Sequence, residues 1–179
     1  MKNIEIEGLE FELLINQGKI LEQINSLAKE LKENYPDNFP LCLIVLNGAS
    51  IFASQLLDKL DNSVQISFIK VQSYDGLSST GNIIIDYLPY ELIKNRDVLL
   101  IEDIVDTGLT MNSLTKELKK NGARKVKCVT LLFKPNQYQY PTKPHHIGFS
   151  LEDNFVIGYG MDYNQKGRNL SDIYKNITC

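Results

Sequence analysis

Three short stretches of this chain are strongly apolar: Leu41-Cys-Leu-Ile-Val-Leu46, Val98-Leu-Leu-Ile101, and the run from Lys125 to Phe133, which from Cys128 onward is interrupted only by Thr130. A strand covered on one face alternates polar and apolar residues, whereas a strand apolar throughout is covered on both. Helical spacing fills the intervals between them. Ile20, Leu21, Ile24, Leu27, Ala28 and Leu31 recur at three- and four-residue steps and predict a helix over 18–34. Pro36 and Pro40 close it. Ile51, Phe52, Leu56, Leu57 and Leu60 predict a second helix over 51–60. Met111, Leu114 and Leu118 predict a third over 110–121, with Gly122 just past its end. Further strands are expected at 41–46, 64–71, 83–87, 97–103 and 125–133. Such alternation predicts an α/β fold: a parallel, doubly wound sheet with flanking helices.

The ends of the chain read differently. From Lys134 onward the sequence is rich in Pro and Tyr, with strand-like pieces at 147–150 and 155–157 and a polar Gly/Asp/Asn segment near its close. With 179 residues the chain suits a single domain spanning 1–179. Its core is expected over about 36–134, with a small hood lobe built from about 1–20 and 135–179. Between the strands at 64–71 and 83–87, the segment Gln72–Asn82 is small and polar, and predicts a mobile lid.

Charge and cysteine usage exclude several functions. Nineteen Lys and Arg against twenty-two Asp and Glu leave a net charge of −3, which argues against a nucleic-acid partner. No apolar run reaches the ~18 residues of a membrane span, so no membrane partner is expected. Met1–Glu12 lacks the basic start and apolar centre of a signal peptide. Cys42 and Cys128 lie inside apolar runs and read as core, Cys179 stands apart, and an odd count makes a poor disulfide framework. A His/Cys zinc site is not expected either, because the two histidines are the adjacent pair His145-His146. A reducing cytoplasm suits all of this.

The chemistry concentrates in Val98-Leu-Leu-Ile-Glu-Asp-Ile-Val-Asp-Thr-Gly-Leu-Thr110. A buried strand delivers Glu102 and Asp103 at its C-terminal end, and ligands of open α/β sheets bind outside those ends. Asp106 then opens an Asp-Thr-Gly-x-Thr turn into a helix, where small residues leave backbone N–H groups free for a phosphate. Carboxylates beside a phosphate call for a divalent cation or for sugar hydroxyls.

This segment resembles the phosphoribosyl-diphosphate motif of the type I phosphoribosyltransferases, and the likeness extends to the bacterial-type hypoxanthine-guanine enzymes. Leu46-Asn-Gly-Ala49 resembles their first diphosphate loop, and Ser73-Tyr74 their lid. Leu132-Phe-Lys-Pro135 is similar to the strand end carrying a purine-reading lysine. Val156-Ile-Gly-Tyr-Gly-Met-Asp-Tyr163 and Arg168-Asn-Leu170 are similar to their C-terminal block. The likeness runs from about residue 10 to the end.

The resemblance implies a purine-salvage enzyme joining the phosphoribosyl group to hypoxanthine or guanine, with Mg2+ as cofactor and a homodimer or homotetramer as assembly. Asp106 would be the catalytic base at the purine N7. Asn47, Gly48, Ser73, Tyr74, Glu102, Asp103, Thr107, Gly108, Thr110 and Arg168 would bind phosphoribosyl diphosphate or nucleotide. Lys134 would read the 6-oxo group, Phe155 would stack on the base, and Val156 and Asp162 would complete its pocket. Glu102, Asp103 and Asp162 would hold the metal. Asn47 departs from the lysine usual in the family, so no full charge meets the diphosphate there, and a cis Leu46–Asn47 peptide is implied. The rival readings are transfer to xanthine, adenine or a pyrimidine, and a nucleic-acid-binding regulator that keeps the fold.

Overall fold

A computed structural model describes residues 3–60, 64–73 and 83–178. In chain order the elements are β1 (Asn3–Ile6), β2 (Leu9–Ile15), α1 (Gln17–Asn34), β3 (Leu41–Leu46), α2 (Ser50–Asp58), β4 (Ile66–Ser73) and β5 (Ile83–Tyr87). There follow α3 (Tyr90–Ile93), β6 (Asp97–Val105), α4 (Leu109–Lys120), β7 (Lys125–Phe133), β8 (His146–Ser150), β9 (Val156–Ile157) and β10 (Ile173–Asn176).

The three apolar runs form the middle of a six-stranded sheet of order β5-β4-β3-β6-β7-β8. Their side chains divide between two cores. From β3, Cys42 and Ile44 join the core beneath α1 and α2. Leu41, Leu43 and Val45 join the core beneath α3 and α4. In β6, Leu99 and Ile101 face the first core and Val98 and Leu100 the second. This two-sided burial explains why the strands carry no polar alternation.

α1 begins where the Asn16 side chain accepts the Lys19 N–H at 2.9 Å. It buries Ile20, Ile24, Leu27, Ala28 and Leu31 against the sheet, and stops at Tyr35, ahead of Pro36.

Two placements differ from the sequence expectation. β3, β4, β6, β7 and β8 are parallel, but β5 returns antiparallel along β4. The connection 74–82 is shorter than the dozen or so residues that a parallel crossover needs. The strand near 147–150, assigned to the hood, instead pairs with β7 as the sheet's last member, in the register Val129↔His146 to Phe133↔Ser150. Its pairing satisfies the outer N–H and C=O groups of a buried nine-residue strand.

Above the C-terminal strand ends sits a four-stranded antiparallel sheet of order β1-β2-β10-β9. Phe11, Ile157 and Tyr174 form its small core. Among the described residues no helix is long and apolar enough to cross a membrane.

Candidate active site

The chain runs outward from β3 to β4 and β5 on one side and from β6 to β7 and β8 on the other, so the crevice outside the C-terminal ends of β3 and β6 is the sheet's switch point. β3 turns into α2 through a tight bend in which the Ala49 N–H donates to the Val45 carbonyl at 3.2 Å. The Leu46–Asn47 peptide is cis, as the resemblance implied. Gly48 packs directly on the Asp103 carboxylate: a Cβ there would stand 1.7 Å from Asp103 Oδ2. Gly160, at φ +102°, presses on the other side, where a Cβ would stand 1.9 Å from the Gly48 oxygen. Two glycines thus let the hood press on the β3 turn, and the β3 turn on the Asp103 carboxylate, with no side chain of their own in the way.

The hood carries Arg168 into this stack. Its guanidinium donates to the Gly160 carbonyl at 2.8 Å and pairs with Asp162 at 2.6 Å. Burial pushes the Asp103 carboxyl above its ordinary range; backbone hydrogen bonds and the Arg168 charge oppose this, and Asp162 adds to it. Glu102 is 4% exposed, and burial followed by the Asp103 charge drives its carboxyl well up. Its Oε1 is buried without a hydrogen-bond partner. An orphaned carboxylate oxygen at a ligand crevice fits a hydroxyl donor or a cation. Among the described residues no three His, Cys, Asp or Glu side chains converge as a ready-made metal cage. An ion here would keep water and substrate oxygens in its shell, as magnesium habitually does.

Beyond Val105 the chain makes the turn Asp106-Thr-Gly-Leu-Thr110. Gly108 adopts the left-handed conformation (φ +85°), and its carbonyl accepts the Asn112 N–H at 3.0 Å, closing the first turn of α4. Thr107, Gly108 and Thr110 line a cavity of about 100 Å3, together with Glu102 and Asp106. Its amides and helix dipole suit an anion.

A second cavity, of about 190 Å3, adjoins it and shares Asp106. Asp103, Ile104, Lys134, Phe155, Val156, Met161 and Asp162 complete its lining. Lys134 is 7% exposed, and its ammonium meets Asp106 Oδ2 at 2.8 Å. Its backbone N–H donates to the Val105 carbonyl at 3.0 Å, so the lysine sits at the rigid end of β7. Phe155 keeps 45% of its surface exposed, with its ring edge against Tyr163 at 5.7 Å. Free aromatic surface beside a narrow cavity is what a flat heterocycle stacks on.

The predicted residues thus fall into three places. Asp103, Asp106, Lys134, Phe155, Val156 and Asp162 line the larger cavity, and Glu102, Thr107, Gly108 and Thr110 the smaller. Gly48 and Arg168 belong to the stack beside Asp103, and Asn47 precedes Gly48 in the β3 turn, its carbonyl accepting the Ser50 N–H at 3.2 Å. Ser73 closes β4, while Tyr74 and the expected lid at 74–82 lie outside the described residues. Sequence reasoning did not single out Gly160, Met161, Ile104 or Tyr138. For Gly160 the Gly158-Tyr-Gly160 spacing was a usable signal.

The chain was compared with known proteins. Residues 12–164 match the model of the phosphoribosyl transferase domain. The chain is 37% identical over 159 residues to the hypoxanthine-guanine phosphoribosyltransferase of Bacillus subtilis, covering 88% of each. It is 36% identical over 160 residues to the enzyme of that name from Staphylococcus aureus, covering 89% of each. A crystal structure of a hypoxanthine phosphoribosyltransferase from S. aureus superposes with a TM-score of 0.86 at 36% identity, over 93% of this chain and 91% of that one. A fold, a crevice and a sequence alike along most of their length have one reading: the chain belongs to the hypoxanthine-guanine phosphoribosyltransferases of the phosphoribosyl transferase family.

Proposed function

We propose that this protein transfers the 5-phosphoribosyl group of phosphoribosyl diphosphate to hypoxanthine and guanine, releasing diphosphate and serving purine salvage. The observation that carries the reading is the Lys134–Asp106 pair between two adjoining cavities. One cavity suits a phosphate and the other a flat base. One edge of a 6-oxopurine carries the oxygen and the protonated N7 side by side. Lys134 offers a donor to that oxygen, and Asp106 an acceptor to that N–H.

In the reaction the N9 lone pair attacks C1′ of the ribose, and the C1′–O bond electrons leave with diphosphate. Asp106 takes the N7 proton as positive charge would otherwise build on the base. Phe155 and Val156 hold the ring flat, so that N9 points at C1′. The amides of Thr107, Gly108 and Thr110 fix the 5′-phosphate, and Glu102 and Asp103 accept from the ribose hydroxyls. Arg168, held by Asp162, faces the diphosphate side. Glu102, Asp103 and Asp162 are the residues that would hold Mg2+, which supplies charge neutralisation for the leaving diphosphate.

The active unit is taken as one domain over 1–179, assembled as a homodimer or homotetramer. The cytoplasm is the compartment that suits the free buried thiols of Cys42 and Cys128. A diphosphate-release assay over hypoxanthine, guanine, xanthine and adenine tests the reading. Turnover with the first two and very little with adenine is expected. No release with any 6-oxopurine sinks it.

A further inference from the structure

We propose that Tyr138 is a positioning residue for the phosphate loop, setting affinity for the phosphoribosyl donor from behind the loop while touching neither substrate; this rests on the activity proposed above. The loop's shape turns on Gly108, whose left-handed backbone (φ +85°) lets the chain turn around the smaller cavity that it lines. Glycine is also the residue least able to hold one conformation by itself. Something outside the loop has to hold it.

Tyr138 stands at that point. A Cβ on Gly108 would meet Tyr138 Cε2 at 2.2 Å and Cδ2 at 2.8 Å, and Tyr140 Cδ2 at 3.0 Å. The Tyr138 ring is therefore in full contact with the Gly108 backbone. Behind it the ring rests edge-on against Phe133, at 5.3 Å and 70°. Phe133 is the buried last residue of β7. The Tyr138 hydroxyl donates to the Thr142 carbonyl. The next residue's N–H, from Gln139, donates to the Thr107 carbonyl at 3.1 Å. Ring and backbone together brace two consecutive loop residues, Thr107 and Gly108, against the end of β7. Tyr138 lines neither the purine cavity nor the phosphate cavity.

This arrangement separates the two substrates energetically. Lys134 is anchored by its own bond to Val105 and by its pair with Asp106, four residues before Tyr138. Removing the ring therefore frees the phosphate loop and leaves the purine contacts in place. Donors that are aimed in advance bind without reorganising; donors that wander do not.

The test compares Tyr138→Phe, Tyr138→Leu and Tyr138→Ala by initial rates in which each substrate is varied at saturation of the other, alongside thermal melts. The Phe variant keeps the ring, and both KM values should stay within about twofold of wild type. The Leu and Ala variants should raise KM for phosphoribosyl diphosphate about tenfold or more, the scale of a sub-ångström misplacement. Their KM for hypoxanthine should move by less than about threefold. A folded Leu variant with an unchanged donor KM overturns the proposal, as do equal rises in both KM values. Loss of folding in both Leu and Ala variants means a general structural prop and overturns it too. If the wild type releases no diphosphate at all, it is the proposed activity that falls.

Discussion

Lys134 Nζ lies 2.8 Å from Asp106 Oδ2, so the cation at the end of β7 and the carboxylate at the start of the phosphate turn are each other's partner before any base arrives. The lysine is nine-tenths buried and the aspartate is half exposed. On the proposed reading an incoming base has to satisfy both groups at once, which a 6-oxo/N7–H edge would do and a 6-amino edge would not.

Lys134→Gln should lower kcat/KM for hypoxanthine and narrow its margin over adenine. An ammonium facing an amino group leaves donors unpaired, at about 1–3 kcal/mol each. A carboxamide can present either a donor or an acceptor. Measuring both purines on both proteins decides the matter; an unchanged ratio removes Lys134 from base recognition.

Asp106→Asn keeps the shape and loses the basicity. The expected outcome is a kcat lower by ~10²–10⁴ at saturating substrates, with donor binding retained. The substitution also leaves the buried Lys134 without its counter-charge, so the melting temperature should fall as well. Measuring kcat only on the folded fraction separates the two effects. A variant retaining most of the wild-type kcat would show that the proton goes elsewhere.

Glu102 ties stability to pH. Folding raises its pKa above 4.5 through burial and the neighbouring Asp103, so the native chain holds this proton more tightly than the unfolded chain does. Its contribution is therefore fully present below 4.5 and is lost as pH climbs toward the raised native value. Glu102→Gln should flatten that decline and stabilise the ligand-free protein at pH 8 by about 1–3 kcal/mol, while weakening donor binding. Asp103, also raised, leaves a residual slope. Urea midpoints at pH 5 and pH 8 measure it; parallel declines in both proteins would contradict the assignment.

Gly160→Ala should be among the most damaging single-methyl changes in the chain. Left-handed backbone costs a non-glycine residue about 1–3 kcal/mol. The added carbon would also stand 1.9 Å from the Gly48 oxygen, forcing the hood off the β3 turn and Asp103. Both the melting temperature and the donor affinity should drop. A variant of wild-type stability and affinity would show that the stack is looser than its geometry.

The sequence announces the central sheet because β3, β6 and β7 are buried on two sides and so need no pattern beyond being apolar. The phosphate turn is legible for a related reason: its chemistry is local, packed into Asp106-Thr-Gly-Leu-Thr110. The hood strands are harder. β2 starts to alternate, with Phe11 inward and Glu10 outward, yet the pattern breaks at Leu13-Leu14 and its partner β10 lies about 160 residues away. β5's direction depends on a connection length, not on its own residues. The Tyr138–Gly108 contact joins residues thirty positions apart through shape alone, and no spacing rule expresses that.

The hood's pairing of early and late chain also orders how the protein can be made. β3 through β8 are complete once residue 150 has been synthesised, so the central sheet and its phosphate loop can assemble while translation continues. β2, made well before β10, has no sheet neighbour beyond β1 until β10 follows it. The wall that turns an anion-binding loop into a place for a base, Phe155 and Val156, is secured only when Lys175 and Asn176 arrive to hold it. On the proposed reading a nascent chain completes its phosphate loop before its purine wall, and until β10 docks Phe11, fully buried in the finished protein, lacks its core partner Tyr174.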